Sequence, residues 1–154
     1  MSFSLYLLLA SDDPIERQYI ATFIDDGSYF DVTPKFEPHL QGELGDLNIH
    51  FNEAGFVQFK KLAGEEAESA IAEARESLDS APISNEHQRD LENQINRTRT
   101  VIEVNVDRES MTKDSWAMLD ALEADILKSR GGLLYVYDEG IYGPNLRLWP
   151  RALI

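Results

Sequence analysis

The stretch that decides the fold runs over residues 101–149, VIEVNVDRESMTKDSWAMLDALEADILKSRGGLLYVYDEGIYGPNLRLW. Its first seven residues alternate apolar and polar side chains, as a half-buried strand does. The next segment spaces its apolar side chains like one face of a helix, with Thr112 as N-cap and Gly131 just beyond the C-terminus. Residues 133–137 and 141–149 flank an Asp-Glu-Gly turn. The segment therefore predicts a strand, a helix, a strand, a turn and a strand.

The N-terminal segment predicts a similar beginning. Residues 3–10, FSLYLLLA, are almost continuously apolar and predict a central strand that is buried on both faces. Asp13 has the side chain of an N-cap, Pro14 suits the first helical position, and Glu16 completes a capping box. Gly27 is predicted to end the helix. An apolar strand followed by an acid-capped helix therefore opens the chain as well.

Further strands and a helical pair are predicted between these two units. Residues 29–36 predict a short strand, and Pro34 places it at a sheet edge because proline cannot donate a ladder hydrogen bond. Residues 47–62 predict a hairpin around an Asn-Glu-Ala-Gly turn. Residues 62–80 and 84–99 predict two helices, the second largely solvent-facing because its apolar stripe is thin.

The order of these elements predicts an α+β fold with a mostly antiparallel sheet and helices on one face. At 154 residues the chain is predicted to form one domain, residues 1–154, with the helical pair as an insertion. Both halves run strand, helix, strand, turn, strand. This pattern suggests a duplicated strand-helix-strand-strand unit of the ferredoxin-like kind. Acidic turns that contain glycine are common in hairpins, so duplication stays open at this point.

Composition limits the functions that the chain can have. It carries 28 acidic and 14 basic residues, a net charge of −14. Direct binding to nucleic acid is not predicted, because phosphate contacts need clustered lysine and arginine. The absence of cysteine excludes disulfides and thiolate metal sites. The N-terminal apolar run is short and lacks a basic flank, so we predict no signal peptide, no membrane association and a cytoplasmic protein.

The acidic residues concentrate in the predicted helical pair. Residues 65–92 hold nine acids and two bases, a net charge of −7 and half of the total excess. Such a surface is either an ordinary solvated helix face or a docking surface for a basic protein partner, whose association it would accelerate. The candidate partner-binding acids of the first helix are Glu65, Glu66, Glu68, Glu73, Glu76 and Asp79.

The C-terminal turn is a second candidate surface. Alternation places Tyr135 and Tyr137 on one face of a strand. If these tyrosines are exposed beside Asp138 and Glu139, they would anchor an interface; if they are buried, they belong to the core. The candidate partner-binding residues of this region are Tyr137, Asp138, Glu139 and Tyr142.

Acidic residues also follow the two predicted core strands. Asp12 and Asp13 follow the first strand, and Asp107 and Glu109 follow the second. If the two strands are parallel neighbours, these carboxylates converge at one sheet edge and would bind Mg²⁺ or catalyse proton transfer. Helix capping is the alternative explanation, and it already accounts for Asp13. A small metal-dependent enzyme is therefore the alternative function.

Other signs of catalysis are weak. His39 lies near Glu37 and Glu43, but no histidine has the spacing of a metal-binding motif. No serine stands in a G-x-S-x-G motif, and no glycine pair opens a helix after a strand, as a phosphate-binding loop would. We therefore predict no catalytic residues, no metal and no cofactor.

Residues 116–149, WAMLDALEADILKSRGGLLYVYDEGIYGPNLRLW, resemble the C-terminal part of small acidic bacterial immunity proteins of polymorphic toxin systems. The shared pattern is a long helix, Gly-Gly, a strand, an acidic turn ending in glycine, and an aromatic strand. The resemblance implies a non-enzymatic inhibitor that binds one toxin domain, often a basic nuclease. We accordingly predict an immunity protein that neutralises a cognate toxin through its acidic surface. A homo-oligomeric regulatory module, assembled through the C-terminal strand edge, is a further alternative.

Overall fold

A computed structural model describes residues 2–52, 55–79, 85–137 and 139–143. Helices and an antiparallel sheet make up these ranges, which confirms the predicted α+β class. In chain order the elements are β1 (Ser2–Leu9), α1 (Arg17–Gly27), β2 (Lys35–Glu37), β3 (Asp46–His50), β4 (Phe56–Leu62), α2 (Gly64–Asp79), α3 (Asn85–Asn96), β5 (Thr100–Asp107), α4 (Lys113–Arg130), β6 (Gly132–Val136) and β7 (Gly140–Tyr142).

The described strands form one antiparallel sheet in the order β2-β3-β4-β5-β1-β6-β7. At its centre β1 and β5 pair along their whole length, from Ser2 opposite Asp107 to Leu9 opposite Thr100. β4 runs parallel to β1, and β5 lies between them. β6 runs parallel to β5, and β1 lies between them. Each half of the chain therefore places its central strand between two strands of the other half. The ferredoxin-like assignment stays a prediction.

The strand order does not repeat between the two halves as the predicted duplication requires. In the first half the second hairpin strand, β4, lies beside the central pair, and β3 lies outside it. In the second half the first hairpin strand, β6, lies beside the central pair, and β7 lies outside. Each hairpin is therefore attached to the centre by the opposite strand, although the order of elements along the chain is similar.

Helices cover both faces of the sheet, which corrects the prediction of helices on one face. Alternate residues of β1 point to opposite faces, and the apolar run supplies both. Leu7 belongs to a core under α1 and α4, whereas Leu8 belongs to a core under α2 and α3. The thin stripe of α3 buries Leu91 and Ile95 almost completely. The inserted helical pair is thus needed to cover the second face of β1.

Helix α1 begins at Arg17, four residues after the predicted N-cap Asp13. The intervening segment pairs with a loop instead. The Leu44 amide donates to the Ile15 carbonyl at 2.7 Å, and the Arg17 amide donates to the Gly42 carbonyl at 3.1 Å. These non-local hydrogen bonds keep the segment extended, and they outweigh the local capping pattern.

Helix α4 begins and ends as its sequence predicts. The Thr112 side chain accepts from the Ser115 amide, and the Ser115 hydroxyl accepts from the Thr112 amide at 2.7 Å, so the two residues form a capping box. At the other end the Gly131 amide donates to the Leu127 carbonyl at 2.8 Å. The helix that organises the C-terminal half is therefore fixed locally at both ends.

Candidate functional site

The acids of α2 lie on the outer face of the helix. The buried stripe of α2 consists of Ala70, Ala74 and Leu78, and the acids occupy other positions of the helix, which point away from the sheet. Lys60 of β4 approaches one of the acids, with 3.6 Å between its Nζ and Oε2 of Glu66. All six candidate residues of this helix are exposed: Glu65, Glu66, Glu68, Glu73, Glu76 and Asp79.

The tyrosines of the C-terminal hairpin have different environments. Tyr135 is 3% exposed and its ring stacks on Tyr6, so it belongs to the core. Tyr137 is 61% exposed. Tyr142 is partly buried, and its hydroxyl donates to Oε1 of Glu139 at 3.0 Å. Tyr137 is therefore the aromatic side chain that the turn offers to a partner.

The two candidate regions belong to neighbouring elements, because α2 contacts β7. Glu139, in the turn just before β7, also lies 3.9 Å from Arg108, measured between Oε2 and Nη2. Asp138 lies outside the described residues. We use the name acidic surface for the exposed acids of α2 together with Tyr137, Glu139 and Tyr142.

The carboxylates that follow the core strands do not meet, so the alternative of a metal site that these four residues form at one sheet edge is wrong. β1 and β5 are neighbours but antiparallel, so their C-terminal ends lie at opposite ends of the pair. Eight residues at roughly 3.3 Å each place Asp12 and Asp13 on the order of 25 Å from Asp107 and Glu109. Asp12 instead lies 3.8 Å from Arg99. Among the described residues no group of three histidines or acids could hold a metal ion.

His39 takes part in a loop anchor. Its Nδ1 accepts from the Gln41 amide at 3.2 Å and lies 3.5 Å from the Arg17 guanidinium. Arg17 also donates to the carbonyls of Gln41 and Asp46, at 2.8 and 3.0 Å. These contacts hold the loop that leads into β3 against the start of α1, which gives His39 a structural role.

Sequence reasoning missed a polar region on the second sheet face. The helices α2 and α3 cover the end of this face where Leu8, Leu62, Val101 and Leu133 lie. Beyond that end, four adjacent strands each contribute one partly exposed polar side chain to a single row. In order across the sheet the row consists of Asn48, Gln58, Asn105 and Ser4, each opposite the next.

The neighbouring row places a fixed carboxylate beside this polar row. Glu103 lies opposite Tyr6 and beside Ser4, and its Oε2 accepts from the Ser4 hydroxyl at 3.1 Å and from the Tyr6 hydroxyl at 3.3 Å. Ser4 in turn accepts from Nδ2 of Asn105 at 3.2 Å. Burial and the nearby carboxylates of Glu103 and Glu73 raise the pKa of Tyr6, so its hydroxyl remains a donor. We use the name polar sheet face for these two rows: Asn48, Gln58, Asn105, Ser4, Glu103 and Tyr6.

A signal for the polar sheet face was present in the sequence. Polar residues recur at every second position in LNIHF, FVQFKKL and VIEVNVD. They alternate with the apolar residues and therefore lie on the other face of each strand. The sequence alone does not show that these positions form one row, because the row depends on strand register.

A second group outside the predicted sites is the carboxyl of Glu123 on α4. The side chain is 1% exposed, and its Oε2 has no hydrogen-bond partner. Burial, with a smaller contribution from Asp120, raises the pKa of Glu123 well above its ordinary value. This carboxyl therefore keeps its proton to higher pH than an exposed glutamate does.

Comparisons with known proteins give no relative for this fold or this site. No family model matches the chain, and neither a curated protein nor a solved structure matches it significantly. None of the described helices has both the length and the apolar character that crossing a membrane requires.

Proposed function

We propose that this protein is a non-enzymatic binding protein for a basic protein domain, namely an immunity protein that neutralises a cognate bacterial toxin. The observation that supports this proposal is the acidic surface. Six carboxylates project from one helix beside a hairpin with an exposed tyrosine, and none of them has the buried setting of a catalytic acid. The weak pattern resemblance of the C-terminal segment to immunity proteins agrees with it.

The acidic surface would act mainly during encounter. Like charges on one helix produce a negative potential that attracts a basic surface and raises the association rate constant. The exposed ring of Tyr137 then supplies contact area that the charges lack, since aromatic side chains contribute much of the energy at interfaces. A toxin whose active site binds phosphate groups would be blocked by such an acidic cover.

Neutralising three acids of α2 should slow the association. We expect the triple variant Glu65→Gln, Glu68→Gln and Glu76→Gln to associate about tenfold more slowly at low salt, because steering depends on the local potential. The measurement is stopped-flow binding to a cognate toxin domain, to be sought in the neighbouring gene, at 20, 150 and 500 mM salt. The difference should shrink with salt, since counter-ions screen exposed charges.

A matched control removes the same charge elsewhere. The variant Asp25→Asn, Asp26→Asn and Asp31→Asn changes three exposed residues in and after α1, on the other side of the sheet. It should slow association less than threefold. If both variants slow association equally, the effect depends on net charge alone and not on the position of the acids on α2. Failure of the protein to bind the toxin domain, or to protect cells that express it, would contradict the proposed function.

A further inference from the structure

Glu103 is an oriented carboxylate without a cation. Two hydroxyl groups fix its Oε2, and none of the described lysine or arginine side chains lies within ion-pair distance of it. The nearest cation in register is Lys60, directly opposite on β4, but its ammonium lies 3.6 Å from Glu66 instead. The polar sheet face thus presents a negative charge whose position is set before any ligand binds.

The row beside Glu103 offers hydrogen-bonding groups that the protein leaves unused. Gln58 has no side-chain hydrogen bond to any described residue and lies between Asn48 and Asn105. Oδ1 of Asn48 has no hydrogen-bond partner either, but it is buried, so the unused amide that is accessible to a ligand is that of Gln58. Adjacent strands are about 4.8 Å apart, so the row extends across roughly 14 Å. Amides at this spacing can both donate to and accept from a polypeptide backbone.

The polar sheet face adjoins the acidic surface. Tyr6, whose hydroxyl donates to Glu103, packs against the core that α2 and α3 cover, and the charge of Glu73 on α2 contributes to the raised pKa of its phenol. A partner that contacts the exposed acids of α2 therefore reaches Glu103 without leaving the protein surface. The excess of carboxylates here disfavours a phosphate or another anionic ligand and favours a cation.

We propose that the polar sheet face is a receptor for an arginine side chain of the basic partner, with the guanidinium paired to Glu103 and the flanking backbone hydrogen-bonded to the amide row. This inference rests on the proposed function. Arginine fits better than lysine, because its planar group pairs with a carboxylate through two hydrogen bonds and stacks on an aromatic ring such as Tyr6. The paired charge is partly shielded from water, so it contributes more than a rim contact.

A peptide titration tests the receptor without the toxin. The probe is acetyl-Gly-Ser-Arg-Ser-Gly-amide, added to the ¹⁵N-labelled full-length protein and followed by amide chemical shifts. We expect the largest shifts at Ser4, Tyr6, Gln58 and Asn105, and weaker binding when lysine replaces arginine. Glu103→Gln should weaken binding of the arginine peptide at least about tenfold, because it removes one charge-assisted pair. The same spectra show whether the variant is folded.

Asp26→Asn is the matched control, because it removes one exposed charge on α1, on the other side of the sheet. It should change peptide affinity less than twofold. Equal affinity of Glu103→Gln and Asp26→Asn for the peptide would overturn the receptor. If toxin binding depends on the α2 acids but not on Glu103, the proposed function stands and this inference fails. If Glu103→Gln weakens peptide binding but the toxin domain does not bind at all, the receptor stands and the immunity function fails.

Discussion

Replacing Glu123 with methionine should raise the free energy of unfolding at pH 7 by about 1–3 kcal/mol. The wild-type side chain is 1% exposed and leaves Oε2 without a hydrogen bond, so the folded state carries the desolvation cost of a polar group. Methionine has a similar volume and no such group. It therefore fills the site without a new cavity.

The same residue should make stability depend on pH. Burial raises the pKa of Glu123 above its ordinary value of 4.5, whereas the unfolded chain has no such burial. Between the unfolded and folded pKa values the folded state binds the extra proton, so stability falls as pH rises through this window. Below pH 4.5 both states are protonated, and the contribution is constant. Glu123→Gln cannot ionise and should lose this part of the slope.

Urea unfolding at several pH values between 4 and 9 measures both effects. The difference between wild type and Glu123→Gln should grow with pH and then level off above the folded pKa. Asp26→Asn, which removes an exposed charge from α1, should stay within about 0.5 kcal/mol of wild type at each pH. A pH-independent difference between wild type and Glu123→Gln would show that Glu123 does not titrate as its burial requires.

The local parts of the fold could be predicted from sequence, and the non-local parts could not. α4 has its N-cap, apolar face and terminal glycine within one segment, so its bounds follow from short-range rules. The start of α1 depends on backbone hydrogen bonds to residues 42–44, which no local pattern reveals. The continuously apolar β1 predicted burial on both faces. Covering both faces requires helices on both sides, which contradicts the predicted one-sided arrangement.

The same division applies to the candidate sites. Exposure of the α2 acids follows from helical periodicity around Ala70, Ala74 and Leu78. The alternative metal site was wrong because it required β1 and β5 to be parallel. Alternation of apolar and polar side chains does not reveal whether two strands run parallel or antiparallel. The polar sheet face needed the register of four strands. None of its residues stands out in the sequence. They are recognised as one surface only when the strand register places Asn105 between Gln58 and Ser4.

The Gly-Gly pair between α4 and β6 should be more sensitive to substitution at its second position than at its first. Gly132→Ala should destabilise the protein by about 3 kcal/mol or more. Gly132 has φ 131°, and a Cβ there would lie 2.1 Å from the Leu8 carbonyl oxygen and 2.9 Å from Cα of Leu9. β1 cannot move aside to relieve this clash, because it pairs with β5 along its whole length and with β6 on its other edge.

Gly131→Ala is the matched control one residue earlier. Gly131 also has a positive φ, 75°, but the nearest atom to an added Cβ is Cβ of Ala10 at 3.6 Å, an ordinary contact. Its ψ of 155° lies outside the left-handed helical region, in a range that essentially only glycine adopts, so this substitution should cost the backbone strain alone, about 1–3 kcal/mol. Urea unfolding of both variants gives the difference directly. Equal losses would mean that backbone strain alone explains the pair. We expect a larger loss for Gly132→Ala, together with changes in the ¹⁵N spectrum at Tyr137 and Glu139. That result would show that the close approach of β6 to β1 positions the hairpin of the acidic surface.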